Sequence, residues 1–430
     1  MSTGAESSGV LKREIGLGGA IVLGIGSMVG TGVFVSIGLG AGAAGAAVLP
    51  AILAAGALAG CNALGSAQLA AAHPVSGGTY EYAYRFLFPT AGFAAGLLFV
   101  AAKCASAATA ALGIAGYGLA LIPGAEAVPR VPVALVILAV ACGVALAGAR
   151  LSTRVVAVLV AASLGALALF VAVATGRGGG GAVLAASATD FTPGGFYAAT
   201  ALMFVAFTGY GRIATLGEEV HDPSRTIPRA IIATTLLVTA LYLAVALAGL
   251  SAMGAGEFAR AARESGAPLA AAASALGSGW LRLVVSWGAL AAMASVLLNL
   301  ILGISRVVLA MGRRGDLPRG LARVGPDGRS ATAAVLFSAS VIAVLVIPGS
   351  IALAWSASAF TVLVYYAITN VAALRLPRES RRYPRVISWI GLAGCAILAF
   401  GVPPAIWVGG VCFVALGLAA RATLRRSISP

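Results

Sequence analysis

The residues best suited to chemistry in this sequence are the glycines of one apolar stretch, GIGSMVGTGVF at 24–34. Four glycines (24, 26, 30 and 32) fall in the middle of a run that would otherwise form one membrane helix. Each interior glycine lowers helix stability by about 1 kcal/mol relative to alanine. Backbone groups freed inside a bilayer need partners within the protein or its ligand. This stretch, the first break, therefore predicts a helix interrupted at a binding site.

A second interruption, FTGYG at 207–211, lies in a later apolar run and is called the second break. Paired interruptions are typical of secondary transporters built from inverted repeats. Amides that begin a half-helix suit a carboxylate, and carbonyls that end one suit an ammonium. We therefore predict a zwitterion site formed by Ile25, Gly26, Ser27, Met28, Val29, Gly30, Thr31, Gly32, Val205, Ala206, Phe207, Thr208 and Gly209. The hydroxyls of Ser27 and Thr31 either serve this site or bind back to their own helix.

The composition excludes an ordinary soluble protein. Hydrophobic residues make up 60% of the chain and charged residues 10%, against about 25% charged in globular domains. The net charge is +15, but the basic residues lie in short gaps between apolar runs, which indicates membrane topology and no nucleic-acid partner. Runs of about 20 apolar residues predict membrane spans. Twelve are found, at 15–38, 47–71, 88–122, 131–148, 153–175, 196–217, 228–250, 278–311, 331–347, 350–374, 385–401 and 403–423.

These spans predict two repeats of five helices, at 15–175 and 196–374, followed by two appended helices at 385–423. Short tails remain at 1–14 and 424–430. With the N-terminus inside, 22 of the 28 Lys and Arg residues lie in inner loops or tails and five in outer loops. We therefore expect a multi-pass protein of the cell membrane with both termini cytoplasmic.

The five cysteines at 61, 104, 142, 395 and 412 all fall inside apolar spans. Their spacing matches no metal site, and we expect small buried side chains. No cysteine lies in the outer loops, so no disulfide-linked partner chain is expected.

Lys103 interrupts the apolar third span. A lysine at mid-membrane is unfavourable by roughly 2.5–3.5 kcal/mol, and no acidic residue lies inside the twelve spans. Such a lysine should face a cavity or lose its proton, which suggests a role in proton coupling. The alternative is that its side chain extends to an interface.

Four stretches together resemble the amino acid–polyamine–organocation superfamily of permeases. They are the first break, PVSGGTYEYAYRF at 74–86, FVAFTGYGRIATLGEEVHDPSRTIPRAI at 204–231 and SRVVLAMGRRGDLPRGLARV at 305–324. The resemblance implies an all-α, leucine-transporter-like fold with five plus five inverted helices, the first and sixth broken, and two extra helices. It also implies amino acid transport by alternating access and no enzymatic activity.

Within this resemblance, Phe207 corresponds to an aromatic that covers the substrate from the outer side, and Tyr210 is a weaker gating candidate. Glu218 and Glu219 are candidates for an inner gate that pairs with arginines, or they belong to a solvated loop. Proton-coupled members carry a lysine in the fifth helix in place of sodium, where this chain has Ser163. Either Lys103 supplies the missing charge or Ser163 helps to bind sodium.

The sequence thus favours proton-coupled uptake of neutral amino acids, with no other cofactor. Sodium coupling, exchange, a non-transporting receptor and a facilitative channel are the alternatives. A site without acidic residues disfavours cationic cargo, while Lys103 and Arg212 leave anionic cargo open. The expected partners are the amino acid and the lipid bilayer, and the oligomeric state is left open.

Overall fold

The structure is a computed structural model that describes residues 16–73, 75, 77–147, 153–189, 191–214, 220–323 and 331–426. The tail at 1–14, the gate candidates Glu218 and Glu219, and residues 427–430 lie outside this part of the chain.

The described residues form an all-helical bundle. Proline is the first residue of five of its helices, where its missing amide leaves no helical hydrogen bond unmade. The α-helices are α1 (Leu17–Met28), α2 (Ile37–Ala44), α3 (Val48–Ala72), α4 (Thr79–Phe86), α5 (Pro89–Leu119), α6 (Arg130–Leu146), α7 (Thr153–Thr175), α8 (Gly180–Thr189), α9 (Pro193–Phe207), α10 (Gly211–Ala214), α11 (Pro223–Glu264), α12 (Pro268–Ala275), α13 (Gly279–Arg313), α14 (Thr332–Val346), α15 (Ile351–Leu374), α16 (Arg385–Leu398) and α17 (Pro404–Arg426).

Seven helical runs in the described part are long and apolar enough to cross a membrane. They are Gly32–Ala72, Pro89–Leu119, Val155–Thr175, Arg225–Glu264, Gly279–Arg313, Ile351–Leu374 and Pro404–Thr423. Shorter apolar helices include α1, α6 and α14. The chain is therefore a multi-pass membrane protein, and the count of twelve spans stays a prediction.

Helix α5 runs through the middle of the bundle and packs against α13, α15, α6 and α14. The most apolar window of α5 is 72% buried, whereas that of α17 is 6% buried. Helix α17 is thus peripheral. This explains why Cys412 is exposed, contrary to the expectation that all five cysteines are buried. Cys104, Cys142 and Cys395 are buried.

The two ends of α5 define the two ends of the bundle. Short helix α4 packs against α5 just before its first residue, Pro89. Near its last residue, Tyr117 contacts α12 through the backbone of Leu269. We refer to these as the α4 end and the α12 end. Helix α11 reaches the α12 end and bends at Gly254, whose φ of 75° lies in the region that favours glycine.

Candidate functional site

The first break is an opened segment between α1 and α2. Helix α1 ends at Met28, and Val29 is extended with ψ of 106°. The chain turns helical again at Thr31 and passes through a wide π-helical turn, Gly32–Ser36, into α2. The Gly30 carbonyl caps this restarted helix by accepting from the amides of Val33 at 3.2 Å and Phe34 at 3.1 Å. The amides of Thr31 and Gly32 precede these bonds and are the ones that a ligand would meet.

Two glycines of the first break allow neighbouring helices to approach closely. A Cβ atom added at Gly26 would lie 2.7 Å from Val160 Cγ2 of α7, and one added at Gly30 would lie 2.7 Å from Val296 Cγ2 of α13. Real Cβ atoms do not make contacts this short. The glycines thus serve helix packing as well as the opening of the backbone.

The second break is milder than the first. Helix α9 ends at Phe207, and Thr208–Tyr210 form a tighter 3₁₀ turn before α10. The carbonyl of Val205 accepts a hydrogen bond from the Thr208 hydroxyl at 2.9 Å. The expected free carbonyl at Val205 is thus occupied, because a threonine beside the turn reaches back to it.

The structure brings the two breaks into contact. A Cβ atom added at Gly209 would collide with the backbone carbonyl of Ser27, and one added at Gly32 would lie 2.7 Å from Ala206 Cβ. The breaks therefore pack against each other, although they are far apart in sequence.

Tyr242 of α11 joins the breaks directly. Its hydroxyl lies 2.7 Å from the carbonyl oxygen of Met28 and 3.1 Å from that of Ala206. The residue is fully buried. Sequence reasoning missed it, although a tyrosine alone in an aliphatic span is a signal, since a buried phenol needs a hydrogen-bond partner.

The hydroxyls of Ser27 and Thr31 differ in their partners. The Ser27 hydroxyl donates to the Leu23 carbonyl at 2.8 Å, so it binds back to its own helix. Thr31 is 4% exposed, and its hydroxyl has no hydrogen-bond partner within the described residues. A buried polar group without a partner is unfavourable, so Thr31 is the hydroxyl that a substrate could satisfy.

Lys103 of α5 reaches the second break. Its side-chain nitrogen lies 3.4 Å from the Thr208 hydroxyl oxygen and 5.9 Å from the centre of the Phe99 ring. Lys103, Thr208 and the Val205 carbonyl thus form a short polar chain. The side chain points into the protein and is partly buried, which disfavours the alternative of extension to an interface.

Ser163 lies on a different interface. Its hydroxyl is 2.7 Å from the Leu159 carbonyl and 2.9 Å from the Gly288 carbonyl of α13. Val160, three residues earlier, is the α7 side chain that faces Gly26. The two coupling candidates, Lys103 and Ser163, are therefore held by different helices.

The gating candidates are buried aromatics. The Phe207 ring lies 5.1 Å from the Tyr242 ring, and the Tyr210 ring lies 5.4 Å from that of Tyr366 on α15. Both Phe207 and Tyr210 are fully buried. Arg212 follows in α10 and is exposed.

One tyrosine lies between the first break and the α12 end. The Tyr117 hydroxyl donates to the Phe34 carbonyl at 2.7 Å and accepts from the Leu269 amide at 3.3 Å. It therefore links the π-helical turn after the first break to α12.

The α4 end carries a buried ion pair that sequence reasoning missed. Asp316 and Arg421 are 2.8 Å apart, with side chains 0% and 7% exposed. Tyr80 donates to the Asp316 carboxylate at 2.9 Å and Tyr84 at 2.5 Å. We call these four residues the Asp316 cluster. Burial raises the pKa of the Tyr80 hydroxyl above its usual value, and the Asp316 carboxylate raises it further, so Tyr80 remains a donor.

A second ion pair lies beside this cluster. Arg314 binds Glu81 at 2.8 Å, and its guanidinium lies 4.2 Å from the centre of the Tyr84 ring. The acidic residues of these two pairs are Glu81 and Asp316, while the predicted Glu218 and Glu219 lie outside the described residues. The signal was present in the stretches 74–86 and 305–324, which contain Glu81, Arg314 and Asp316.

Comparison with known proteins identifies a family and several similar transporters. The sequence model of the amino acid permease family matches residues 15–421. An uncharacterised transporter of Mycobacterium tuberculosis is 42% identical over 410 residues, covering 95% of this chain and 91% of that protein. The branched-chain amino acid permease of Bacillus subtilis is 28% identical over 425 residues, covering 92% and 88%. A methylthioribose transporter of Bacillus subtilis is 27% identical over 441 residues, covering 95% and 92%.

Proposed function

Because the chain belongs to the amino acid permease family, we propose that it carries neutral amino acids across the cell membrane by proton-coupled alternating access. The observation that carries this proposal is the meeting of the two breaks. There the Thr31 hydroxyl, buried without a partner among the described residues, lies at the start of the restarted helix, and the Lys103 side chain contacts Thr208 at the end of α9. Discontinuous helices at mid-membrane are the usual substrate sites of secondary transporters.

The packing of the helices supports five plus five inverted repeats, with residues 15–175 and 196–374 as the two halves. In such an arrangement α3 corresponds to α11, α5 to α13, α6 to α14, and α7 to α15. Helix contacts then occur in matched pairs. Helix α5 contacts α15 and α7 contacts α13, while α3 contacts α9 and α2 contacts α11. On this proposal α16 and α17 are the appended helices at 385–423.

The orientation follows from the basic residues. Ion pairs place Arg314 and Arg421 at the α4 end. The predicted spans assign the loop with the arginines at 375–385 to the same side. The preference of Lys and Arg for cytoplasmic loops favours the α4 end as cytoplasmic, with both termini on that side. The α12 end then faces outward.

The proposed substrate is a neutral amino acid. Its carboxylate would meet the amides that begin the restarted helix and the Thr31 hydroxyl. Its ammonium would meet the second lone pairs of carbonyls at the ends of α1 and α9, where Met28 and Ala206 already accept from Tyr242 and Val205 accepts from Thr208. Lys103 disfavours cationic cargo by charge repulsion. The name of the Bacillus branched-chain permease is consistent with apolar cargo, whereas the methylthioribose transporter shows that relatives of similar identity also carry other solutes.

Lys103 is the proposed coupling residue. It is the only lysine or arginine within a predicted span that lies far from both of its ends, and it contacts Thr208 at the second break. A proton taken up or released there would change the charge beside the substrate. Sodium coupling through Ser163 is less well supported, because the Ser163 hydroxyl is engaged with backbone carbonyls of α7 and α13.

The test is uptake of a panel of labelled amino acids into proteoliposomes, with and without sodium and a pH gradient. Saturable uptake with counterflow, stimulated by an inward proton gradient, is the expected result. Binding without flux would indicate a receptor, and flux without saturation or counterflow would indicate a channel. Failure of every amino acid both to bind and to move would overturn the proposal.

A further inference from the structure

The inference concerns the segment at residues 375–385, which joins α15 to α16 and is called the arginine loop. Its arginines are at positions 375, 378, 381, 382 and 385, and Glu379 is its one acidic residue. Five positive charges and one negative charge give the loop a net charge of +4. Within the described part of the chain, none of the five arginines is ion-paired with a carboxylate.

Other arginines at the α4 end are compensated within the protein. Arg314 pairs with Glu81 and Arg421 pairs with Asp316, each at 2.8 Å. The chain itself therefore supplies the negative charge at these two positions. Because the arginine loop has no such carboxylate among the described residues, its charge can be met by a group from outside the chain.

The arginine loop is folded, so its side chains are held in place. Its backbone makes a 3₁₀ turn, Arg378–Ser380, and the Arg381 guanidinium donates to the Leu376 carbonyl at 2.7 Å. Leu376 is buried in a small apolar cluster with Leu69 of α3 and Tyr82 of α4. The Nε atom of Arg381 is buried without a hydrogen-bond partner among the described residues. A loop that is already ordered loses little conformational freedom when it binds a ligand.

Helix α16 places the arginine loop at the surface of the membrane. One side of this helix packs against α3 and α15. The other side carries Val386, Trp389 and Ile390, which are 58%, 57% and 52% exposed. An exposed apolar face on a membrane helix contacts lipid, and tryptophan is enriched at the membrane–water boundary. Arg385 is exposed and precedes Trp389 by one helical turn. The loop therefore lies at the level of the lipid headgroups.

We propose that the arginine loop binds the phosphate groups of anionic phospholipids in the cytoplasmic leaflet. Guanidinium groups bind phosphate oxygens through paired hydrogen bonds, and basic clusters next to a membrane helix attract anionic lipids. The exposed Arg378, Arg382 and Arg385 would contact the headgroup, while the apolar face of α16 would contact the acyl chains. The inference rests on the proposed orientation of the protein and goes beyond its proposed transport function.

The test uses a triple variant, Arg378→Gln, Arg382→Gln, Arg385→Gln. Full-length protein in a neutral detergent is titrated with phosphatidylglycerol or phosphatidylcholine, and bound lipid is measured by native mass spectrometry. Wild type should bind phosphatidylglycerol in preference to phosphatidylcholine. Each arginine near an anionic surface contributes about fivefold to affinity. The triple variant should therefore bind phosphatidylglycerol at least about tenfold more weakly than wild type.

The matched control is a second triple variant, Arg225→Gln, Arg229→Gln, Arg319→Gln. It removes the same charge from exposed arginines in or next to other predicted inner loops, and it should keep the wild-type preference for phosphatidylglycerol. All six side chains are exposed, so both variants should denature at the wild-type temperature in phosphatidylcholine. If the loop variant is unstable, Arg385→Gln alone should still lower the affinity by about fivefold.

Inorganic phosphate distinguishes a lipid site from a site for free anions. At equal ionic strength it should not displace phosphatidylglycerol from wild type, and displacement would overturn the inference in favour of a free-anion site. Equal binding of the two lipids by wild type would also overturn it, as would equal affinity of the loop variant and the control for phosphatidylglycerol. These measurements need no substrate, so a failure of amino acid uptake would count against the proposed transport function alone.

Discussion

The side-chain nitrogen of Lys103 lies 3.4 Å from the hydroxyl oxygen of Thr208. This contact joins the middle of α5 to the second break and places a basic group next to the end of α9. Because Thr208 donates to the Val205 carbonyl, a change in the charge of Lys103 acts on the turn that ends the helix.

We predict that Lys103→Met removes the pH dependence of uptake while exchange of substrate is partly retained. Without Lys103, no side chain at the second break gains and loses a proton during transport. A proton gradient would then no longer drive uptake through this position. The measurements are uptake as a function of pH and counterflow in proteoliposomes.

Ser163→Ala is the matched control for this prediction. It removes a hydroxyl that contacts Gly288, and we expect it to keep the pH response. Sodium-dependent uptake that survives Lys103→Met but is lost in Ser163→Ala would contradict the role of Lys103 and favour a sodium site.

The contact of Gly209 with the Ser27 carbonyl predicts a strong effect of one methyl group. In Gly209→Ala the Cβ atom meets backbone, which cannot rotate away. Overpacking of this kind is unfavourable by about 1–3 kcal/mol. Because this cost falls on the contact of the two breaks that transport is proposed to need, we expect uptake to fall by roughly fivefold or more. Gly165→Ala in α7 is the control, because its Cβ atom would meet nothing within 4 Å. Equal uptake by the two variants would show that close contact of the breaks is not needed.

Phe207→Ala should reduce transport more than Phe170→Ala. Both phenylalanines are fully buried, so the two truncations remove similar packing. Phe207 alone lies at the junction of the breaks, against Tyr242. The measurement is the initial uptake rate, normalised to folded protein in the membrane. Equal losses in the two variants would mean that Phe207 contributes only packing.

Asp316→Asn should destabilise the protein by about 3–5 kcal/mol, since it leaves the Arg421 guanidinium buried without its carboxylate. Glu257→Gln is the control, because the Glu257 and Arg260 side chains are 54% and 61% exposed and such pairs contribute about 0–1 kcal/mol. Denaturation of the purified proteins measures both. The double variant Asp316→Asn, Arg421→Met should be more stable than Asp316→Asn alone, because no buried guanidinium is left without its carboxylate. Equal stability of the two variants would mean that Asp316 and Arg421 are not coupled.

The first break could be located from the sequence alone. Its glycines destabilise a continuous helix whatever the neighbouring helices are. Lys103 was equally visible, because a lysine in an apolar run is conspicuous without any knowledge of its neighbours. Both signals are local. The contact of Lys103 with Thr208 was not foreseeable, because it depends on how α5 and α9 are rotated against each other.

Rotation of the helices also sets the other contacts that the sequence did not predict. Packing of α7 directs the Ser163 hydroxyl to Gly288 and presents Val160 to Gly26, while the coupling role of Ser163 stays a prediction. The partners of the Tyr242 hydroxyl belong to two other helices, and Asp316 and Arg421 are 105 residues apart. No periodicity within one helix encodes such pairs.

The pairing of Asp316 with Arg421 also bears on how the protein is made. Ribosomes synthesise Asp316 more than a hundred residues before Arg421, so every nascent chain passes through a stage in which this carboxylate lacks its guanidinium. Tyr80 and Tyr84 are already present at that stage. The α4 end is completed only when the last helix has inserted, and chains that stop before residue 421 carry an unfinished acidic site.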